Sequence, residues 1–472
     1  MERRKFIKKG LTASSIFIVP RHVLGGVGYI PPSDQLNIAG IGVGGKGRSD
    51  LENAWGKGQA RVAALCDVDL QGDHGVKQSI KRFPEAKFYQ DFRALLDQEK
   101  DLDAVTISTP DHTHGVIASH AMQSGKHVYV QKPLTHNIKE ARWLQNLARK
   151  EQRVTQMGNQ GASNPEQLKV QKWVNDKEIG LISEVYVWTN RPVWPQGGKK
   201  PEANSSLKPG SLDWDLWLGP APETDYVPNM HPFNWRGWWD YGTGALGDMG
   251  CHIIDIPFKA LALHYPTDVE CSVGTIYEKM WTANYFPEGC PPSATVTLHF
   301  DPTPKNNKRI KMVWTDGGIR PSHPDLLPPD VEIESNGIIM VGEKGVITSG
   351  VYGNNPKLYK PGEPVQEGEE LAKIDLPEFG HQHQWIAACK AGFNSKEHKA
   401  LTSSFDYSVP LTETVLMGNI AIRSYLLRKG TGQNASFIGR KKLLWDGAKM
   451  NITNLEEANQ FVGRDYREGW SL

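Results

Sequence analysis

An acid and an imidazole stand four positions apart, Asp248 and His252, in the run Asn234-Trp235-Arg236-Gly237-Trp238-Trp239-Asp240-Tyr241-Gly242-Thr243-Gly244-Ala245-Leu246-Gly247-Asp248-Met249-Gly250-Cys251-His252-Ile253-Ile254-Asp255. Gly242, Gly244 and Gly247 predict a compact turn feeding a helix that starts near Leu246 or Asp248. On a helix, Asp248, Cys251, His252 and Asp255 share one face. Histidine titrates near working pH without tuning, so the chemistry on offer is the removal and return of a proton. Two structural uses compete: Asp248 as a helix N-cap or first-turn acid, and His252 as a hydrogen-bonded core histidine. Zinc bound by this pair and a third ligand is a further alternative. No H-E-x-x-H run supports it, and the five cysteines at 66, 251, 271, 290 and 389 form no C-x-x-C pair, so no metal is expected.

A second cluster lies near the start of the chain. The apolar run Leu36 to Ile41 reads as a buried parallel strand and breaks into Gly42-Val43-Gly44-Gly45-Lys46-Gly47, a G-x-G-x-x-G element. In such an element Gly42 serves the tight turn, Gly44 lets backbone approach a pyrophosphate, and Gly47 lets the next helix pack on the strand. The helix N-terminus then presents free N–H groups to the phosphates. A second apolar run, Arg61 to Cys66, ends at Asp67, twenty positions after Gly47, where a carboxylate can accept hydrogen bonds from ribose hydroxyls. The same acid repels a 2′-phosphate, so NAD(H) is favoured over NADP(H).

Positioning these residues takes two kinds of domain. From Leu36 to about Gly158, short apolar runs at 36–41, 61–66, 103–108, 126–130 and 153–157 alternate with amphipathic helical stretches, the pattern of a doubly wound parallel α/β sheet. Thr109-Pro110-Asp111-His112-Thr113-His114 and Gln131-Lys132-Pro133 fall at strand ends on one edge, where ligands of open α/β sheets bind. His112 and His114 are read there as local hydrogen-bonding groups. After Asn159 the β-α repeat stops, and strands are expected at 184–190, 269–276, 294–300, 309–314, 337–341 and 345–348. Residues 192–229 read as long loops, a long amphipathic helix is expected from Pro410 to Leu427, and 441–472 reads as a tail with a strand-like Lys-Lys-Leu-Leu-Trp run.

The glycine loop, the Thr109-Pro110 strand end with His114, and Gly125-Lys126-His127-Val128 leading to Gln131-Lys132-Pro133 resemble the nucleotide-binding domain of the Gfo/Idh/MocA oxidoreductases. Asp248-x-x-x-His252 resembles that family's active-site helix. The resemblance implies a Rossmann domain at 34–158 that binds NAD, then an α+β domain at 159–440 with a large, mostly antiparallel open sheet. It also implies that the 410–427 helix packs back on the first domain. Cofactor contacts are then expected from Gly42, Val43, Gly44, Gly47, Asp67, Thr109, Pro110, His114, Gln131 and Lys132. Lys132, His252 and Asp248 are the implied catalytic group, with Asp248 orienting the imidazole or bonding a neighbouring hydroxyl; Asn159, Arg191, Trp235, Arg236 and Tyr241 are candidate substrate contacts. The family tripeptide is usually Glu-Lys-Pro; Gln131 here removes a carboxylate from beside Lys132. The implied activity is oxidation of a secondary hydroxyl of a sugar, cyclitol or glycoside. One alternative uses the same residues: net glycoside hydrolysis through transient oxidation, elimination and re-reduction with recycled NAD; a second, of a different class, is a non-catalytic NAD-binding sensor or scaffold, which the loss of the usual glutamate at Gln131 favours and the presence of Lys132, Asp248 and His252 together opposes. A homodimer or homotetramer is implied by the resemblance alone.

Composition narrows the partners. With 54 basic and 53 acidic side chains the net charge is +1, which gives no electrostatic support for nucleic-acid binding. Fifteen tryptophans, many between 188 and 239, suit stacking on sugars or an aromatic core equally. Arg3-Arg4 ahead of the short apolar stretch from Gly10 to Val19 suggests a twin-arginine export signal over 1–33 and a periplasmic location; a disordered basic segment on a cytoplasmic protein is the alternative. No later run is long and apolar enough for a membrane span.

Overall fold

The computed structural model describes residues 35–72, 74–368, 380–430 and 435–472. The twin-arginine segment lies outside the described residues. The first domain is a six-stranded, wholly parallel sheet in the order β3-β2-β1-β4-β5-β6. Its strands are β1 Leu36–Ile41, β2 Ala60–Cys66, β3 Lys87–Tyr89, β4 Ala104–Ile107, β5 His127–Val130 and β6 Thr155–Met157, with helices α1 Gly45–Trp55, α2 Val76–Arg82, α3 Phe92–Gln98, α4 Asp111–Gln123 and α5 Ile138–Lys150 between them. This is the expected order for a chain whose apolar runs are covered by helices on both faces. Strand β3 escaped the sequence reading because it is three residues long, too short to show a period.

The second domain holds a nine-stranded sheet, β13-β12-β11-β7-β10-β9-β8-β16-β17, antiparallel except between β7 and β10. Its strands are β7 Ile182–Trp188, β8 Asp268–Val273, β9 Ala294–Phe300, β10 Ile310–Thr315, β11 Gly337–Gly342, β12 Val346–Ser349, β13 Lys357–Tyr359, β16 Leu443–Asp446 and β17 Asn451–Ile452, and a two-stranded hairpin, β14 Arg428–Lys429 with β15 Ser436–Phe437, stands apart. In β9 burial alternates residue by residue, so Ala294, Val296, Leu298 and Phe300 face the core while Thr295, Thr297 and His299 do not. Helices α6 Glu166–Asn175, α7 Trp214–Leu218, α8 Gly244–Ile253, α9 Asp255–Ala260, α10 Gly380–Ala391, α11 Lys396–Lys399 and α12 Phe405–Tyr425 complete the chain.

Two differences from the sequence reading affect the site. Helix α12 starts at Phe405 rather than at Pro410, with proline inside it; nearly every side chain is buried, against α5 of the first domain and α8, β8 and β9 of the second. That packing outweighs the one backbone hydrogen bond the proline omits. The segment 441–472, read as a tail, is woven back into the molecule. β16 pairs with β8, Arg464 bonds buried Glu140, Arg467 pairs with Asp215, and Trp470 packs at Phe92 and Arg93.

Candidate active site

Helix α8 starts at Gly244 behind Thr243, so Asp248 is its fifth residue and not its cap. Of the four residues expected on one face, two reach the large cavity between the sheets: Asp248 and His252 line it. Cys251 is fully buried, and Asp255 opens the next helix, where it accepts from Gln167 at 3.1 Å and Tyr407 at 2.6 Å. The cavity, about 590 Å³, runs from Asp67, Asp91 and Phe92 past Gly42, Gly44 and Gly45 to Lys132, Asp248 and His252.

Lys132 meets α8 there. Its Nζ donates to the Asp248 carbonyl at 2.6 Å and to Asp248 Oδ1 at 2.9 Å. Arg236 Nε lies 3.4 Å from the same oxygen and Arg191 Nε 3.9 Å from Oδ2, so three cations converge on one carboxylate. Burial pushes the Asp248 pKa up, but Lys132 and Arg236 outweigh it and hold it at about 2. Asp248 is therefore bonded to the lysine and arginine, and no hydrogen bond to His252 is present among the described residues. His252 stands edge-on to Tyr352, with ring centroids 4.8 Å apart, and its Nδ1 has no hydrogen-bond partner among the described residues. Burial, then the neighbouring Lys132, drive its pKa well below the ordinary value, so the ring is neutral and in its base form.

The glycine loop fits the dinucleotide that its motif implies. Gly42 has φ 75°, and a Cβ there would lie 2.8 Å from the Ser108 backbone; a Cβ on Gly47 would overlap the Gly42 carbonyl. Helix α1 begins at Gly45 with no acid in its first turn, so no side-chain charge offsets its positive end, although the Gly45 amide donates to the His74 carbonyl at 2.5 Å. Asp67 lines the cavity, its carboxylate held by the amides of Val43 at 2.9 Å and Asp69 at 3.1 Å; burial raises its pKa against those two hydrogen bonds.

Of the other expected contacts, Thr109, Pro110, Gln131, Arg191, Trp235 and Arg236 line the cavity. Val43, Gly47, His114, Asn159 and Tyr241 do not. Val43 is core, and His114 ties two strand ends together through the carbonyls of Pro133 at 2.9 Å and Thr109 at 2.8 Å. Asn159 is buried against Ser403, and Tyr241 packs edge-on to Trp217 and His112. These four side chains and Gly47 support the site without facing it. Lys46, His74, His231, Phe233, Tyr352 and Trp470 line the cavity and escaped the sequence reading. Lys46 stands in the first turn of α1, and the others come from irregular segments and from the C-terminal segment, where no periodicity marks a side chain's direction.

Residues 36–159 match a family described as the oxidoreductase family, NAD-binding Rossmann fold (GFO_IDH_MocA), and residues 179–273 match its C-terminal alpha/beta domain. An alpha-N-acetylgalactosaminidase of Shewanella oneidensis is 32% identical over 183 residues, which is 37% of this chain and 38% of that protein. The chain thus spans well under half the length of the curated relatives it matches. An inositol dehydrogenase homolog from Azotobacter vinelandii, crystallised with NADH and myo-inositol, superposes with a TM-score of 0.53 at 17% identity, covering 82% of this chain and 94% of that one. The WlbA dehydrogenase of Bordetella pertussis, in complex with NADH and UDP-GlcNAcA, gives 0.55 at 14% identity, covering 82% and 97%.

Proposed function

We propose that this chain is a Gfo/Idh/MocA oxidoreductase, a reading supported by the family matches at residues 36–159 and 179–273, and that it oxidises a secondary hydroxyl of a sugar, cyclitol or glycoside, with NAD+ as hydride acceptor. One observation carries the reading: Lys132, pinned to Asp248, and a neutral His252 share the wall of a cavity that continues to the glycine loop and Asp67. Bound NAD+ supplies the acceptor for the hydride. Ionised Asp248 fixes the Lys132 ammonium, which stabilises the alkoxide that develops as the substrate hydroxyl loses its proton. His252, in base form, takes that proton. Arg236 lies with its guanidinium 4.3 Å from the Phe233 ring centre and 4.2 Å from that of Trp235, a rigid donor for substrate hydroxyls. Asp67 selects NAD(H) by excluding a 2′-phosphate.

The second reading is net glycoside cleavage: oxidation, elimination of the aglycone beside the new ketone, and re-reduction. The glycosidase among the relatives supports it over the matched third of the chain. Both readings are compatible with export by a twin-arginine route, for which Arg3-Arg4 is the support, and tightly held, recycled NAD would suit such a location. Fractionation of cells expressing the full chain tests the location, and light scattering tests the proposed homodimer or homotetramer. For the chemistry, nucleotide released from denatured protein is assayed first, then a panel of sugars and aryl glycosides. Reduction of added NAD+ by a free sugar supports the dehydrogenase. Aglycone release without accumulated NADH supports the hydrolytic cycle, and no bound or bindable nucleotide overturns both.

A further inference from the structure

Beside the glycine loop, three residues from separate segments bring ligand atoms together. Asp69 follows β2, His74 lies five residues on, and His231 comes from the long insert that the second domain carries between β7 and α8; one ligand atom from each falls within 4.8 Å of the others. We propose that Asp69, His74 and His231 bind a divalent transition-metal ion, zinc foremost, that fastens the insert of the second domain to the Rossmann domain. Two imidazoles and a carboxylate are a donor set that suits such ions.

Several observations indicate a built site. Asp69 is 4% exposed, and its Oδ2 already stands 3.2 Å from His231 Nε2, close to the separation of roughly 3.3 Å between neighbouring ligands on a tetrahedral ion with bonds of about 2.0–2.1 Å. His74 packs edge-on to His231 with centroids 4.8 Å apart, which brings its ring to the same point as the carboxylate and the second imidazole. The second carboxylate oxygen of Asp69 accepts from Ser211 Oγ at 2.7 Å, the kind of outer hydrogen bond that orients a ligating carboxylate. His74 is fitted between two glycines: a Cβ on Gly72 or on Gly44 would overlap its ring, and one on Gly72 would also lie 2.5 Å from Asp69 Oδ2.

The surrounding charge favours a cation. Asp67 and Asp69 lie together, and among the described residues neither pairs with a lysine or arginine. The insert is already tied here by backbone: Asp69 bridges Leu212, and Asp213 N donates to Val68 O at 2.9 Å. Because His74 and His231 line the cavity, remaining coordination positions would open into it. No spacing motif marks the site, since the second domain supplies one ligand more than 150 residues away from the other two, and this is why the sequence pointed to no metal.

The test uses the untagged full chain, stripped with chelator and titrated with Zn2+ by calorimetry and with Co2+ by visible absorption. The expected result is one equivalent bound and a Co2+ d–d band, with affinity falling at least ~10-fold in Ser211→Ala and ~100-fold in His74→Gln and His231→Gln. Circular dichroism checks that the variants fold. Should a histidine variant fail to fold, X-ray absorption at the zinc edge of the wild-type chain still reads the ligands, and a shell of two imidazoles with oxygen is expected. No saturable binding overturns the proposal. So does binding that all three variants retain, or a zinc shell lacking imidazole, either of which marks an adventitious ion only.

Discussion

Asp50 and Gln131, eighty-one residues apart, are joined by a 2.7 Å hydrogen bond from Gln131 Nε2 to a carboxylate that is wholly buried. Asp50 also accepts from Lys46 Nζ at 2.5 Å, Ser108 Oγ at 3.0 Å and Gln382 Nε2 at 2.9 Å. The carboxylate missing from the Gln131-Lys132-Pro133 strand end is thus supplied beneath it by α1, and the amide at 131 is the partner that such a neighbour requires. Gln131→Glu places two carboxylates in contact and is expected to cost at least ~1–3 kcal/mol of stability. Adding Asp50→Asn exchanges the acid and the amide, so the double variant is expected to recover most of the lost melting temperature. A double variant no more stable than Gln131→Glu alone would show that the pair does not act as a unit.

Lys132 carries the chemistry in the proposed reaction while contributing one side of a single ion pair to the fold. Lys132→Ala is expected to lower kcat by a factor on the order of 10²–10⁴ and to leave NAD retention nearly intact. Asp248→Asn keeps the volume but frees the ammonium to wander, and a smaller loss in kcat is expected. Steady-state rates alongside a fluorescence titration with NADH separate chemistry from binding; unchanged turnover in Lys132→Ala would remove the lysine from the mechanism.

Strand β1, the glycine loop and Asp67 were legible because each obeys a local rule: an apolar run, a turn that only glycine can make, an acid at a strand end. Asp248 and His252 were legible as a helical pair, yet their partners were not. Which cation would hold Asp248 depends on a contact spanning 116 residues, and sequence spacing carries no record of it. Tyr241 and Asn159 illustrate the converse. Both are polar residues beside chemically suggestive stretches, and both turned inward because the packing of Trp217 and the hydroxyl of Ser403 claim them. Trp470 lay in a segment with no periodicity at all.

Acid should unfold this protein through its buried histidines. His112 sits between the carbonyls of Tyr241 and Trp217, and burial, reinforced by Arg464, lowers its pKa to about 3; burial lowers that of His381 to about 4. Both are neutral in the fold and take a proton on unfolding below their ordinary value of about 6.5. The unfolded state then binds more protons, so stability is complete above that pH and declines as pH falls toward the folded values. Melting temperatures are expected to be level from pH 8 to 7 and to fall steadily from pH 6.5 to 4.5. His381→Gln, which retains hydrogen-bonding groups without the titration, is expected to flatten that slope, and a slope unchanged by the substitution would assign acid lability to other groups.

Trp470, two residues from the end of the sequence, packs at Phe92, takes the Arg93 guanidinium over its ring at 4.6 Å, and lines the cavity with Phe92 and Asp91 beyond β3. Lys132 and His252 belong to the other stretch of that cavity wall, so an effect of Trp470 on catalysis should act through cofactor affinity. Trp470→Ala removes an aromatic face worth about 1–2 kcal/mol, equivalent to a roughly 10-fold loss in NAD affinity. The expected pattern is a raised KM for NAD with kcat held, a split that a general loss of folding would not give, because unfolding lowers kcat in proportion to the protein lost. Stopped-flow NADH binding checks it directly: a faster off-rate with an unchanged on-rate is expected. Equal losses in kcat and in affinity would mean that the C-terminal segment supports the whole fold and not one end of the cleft.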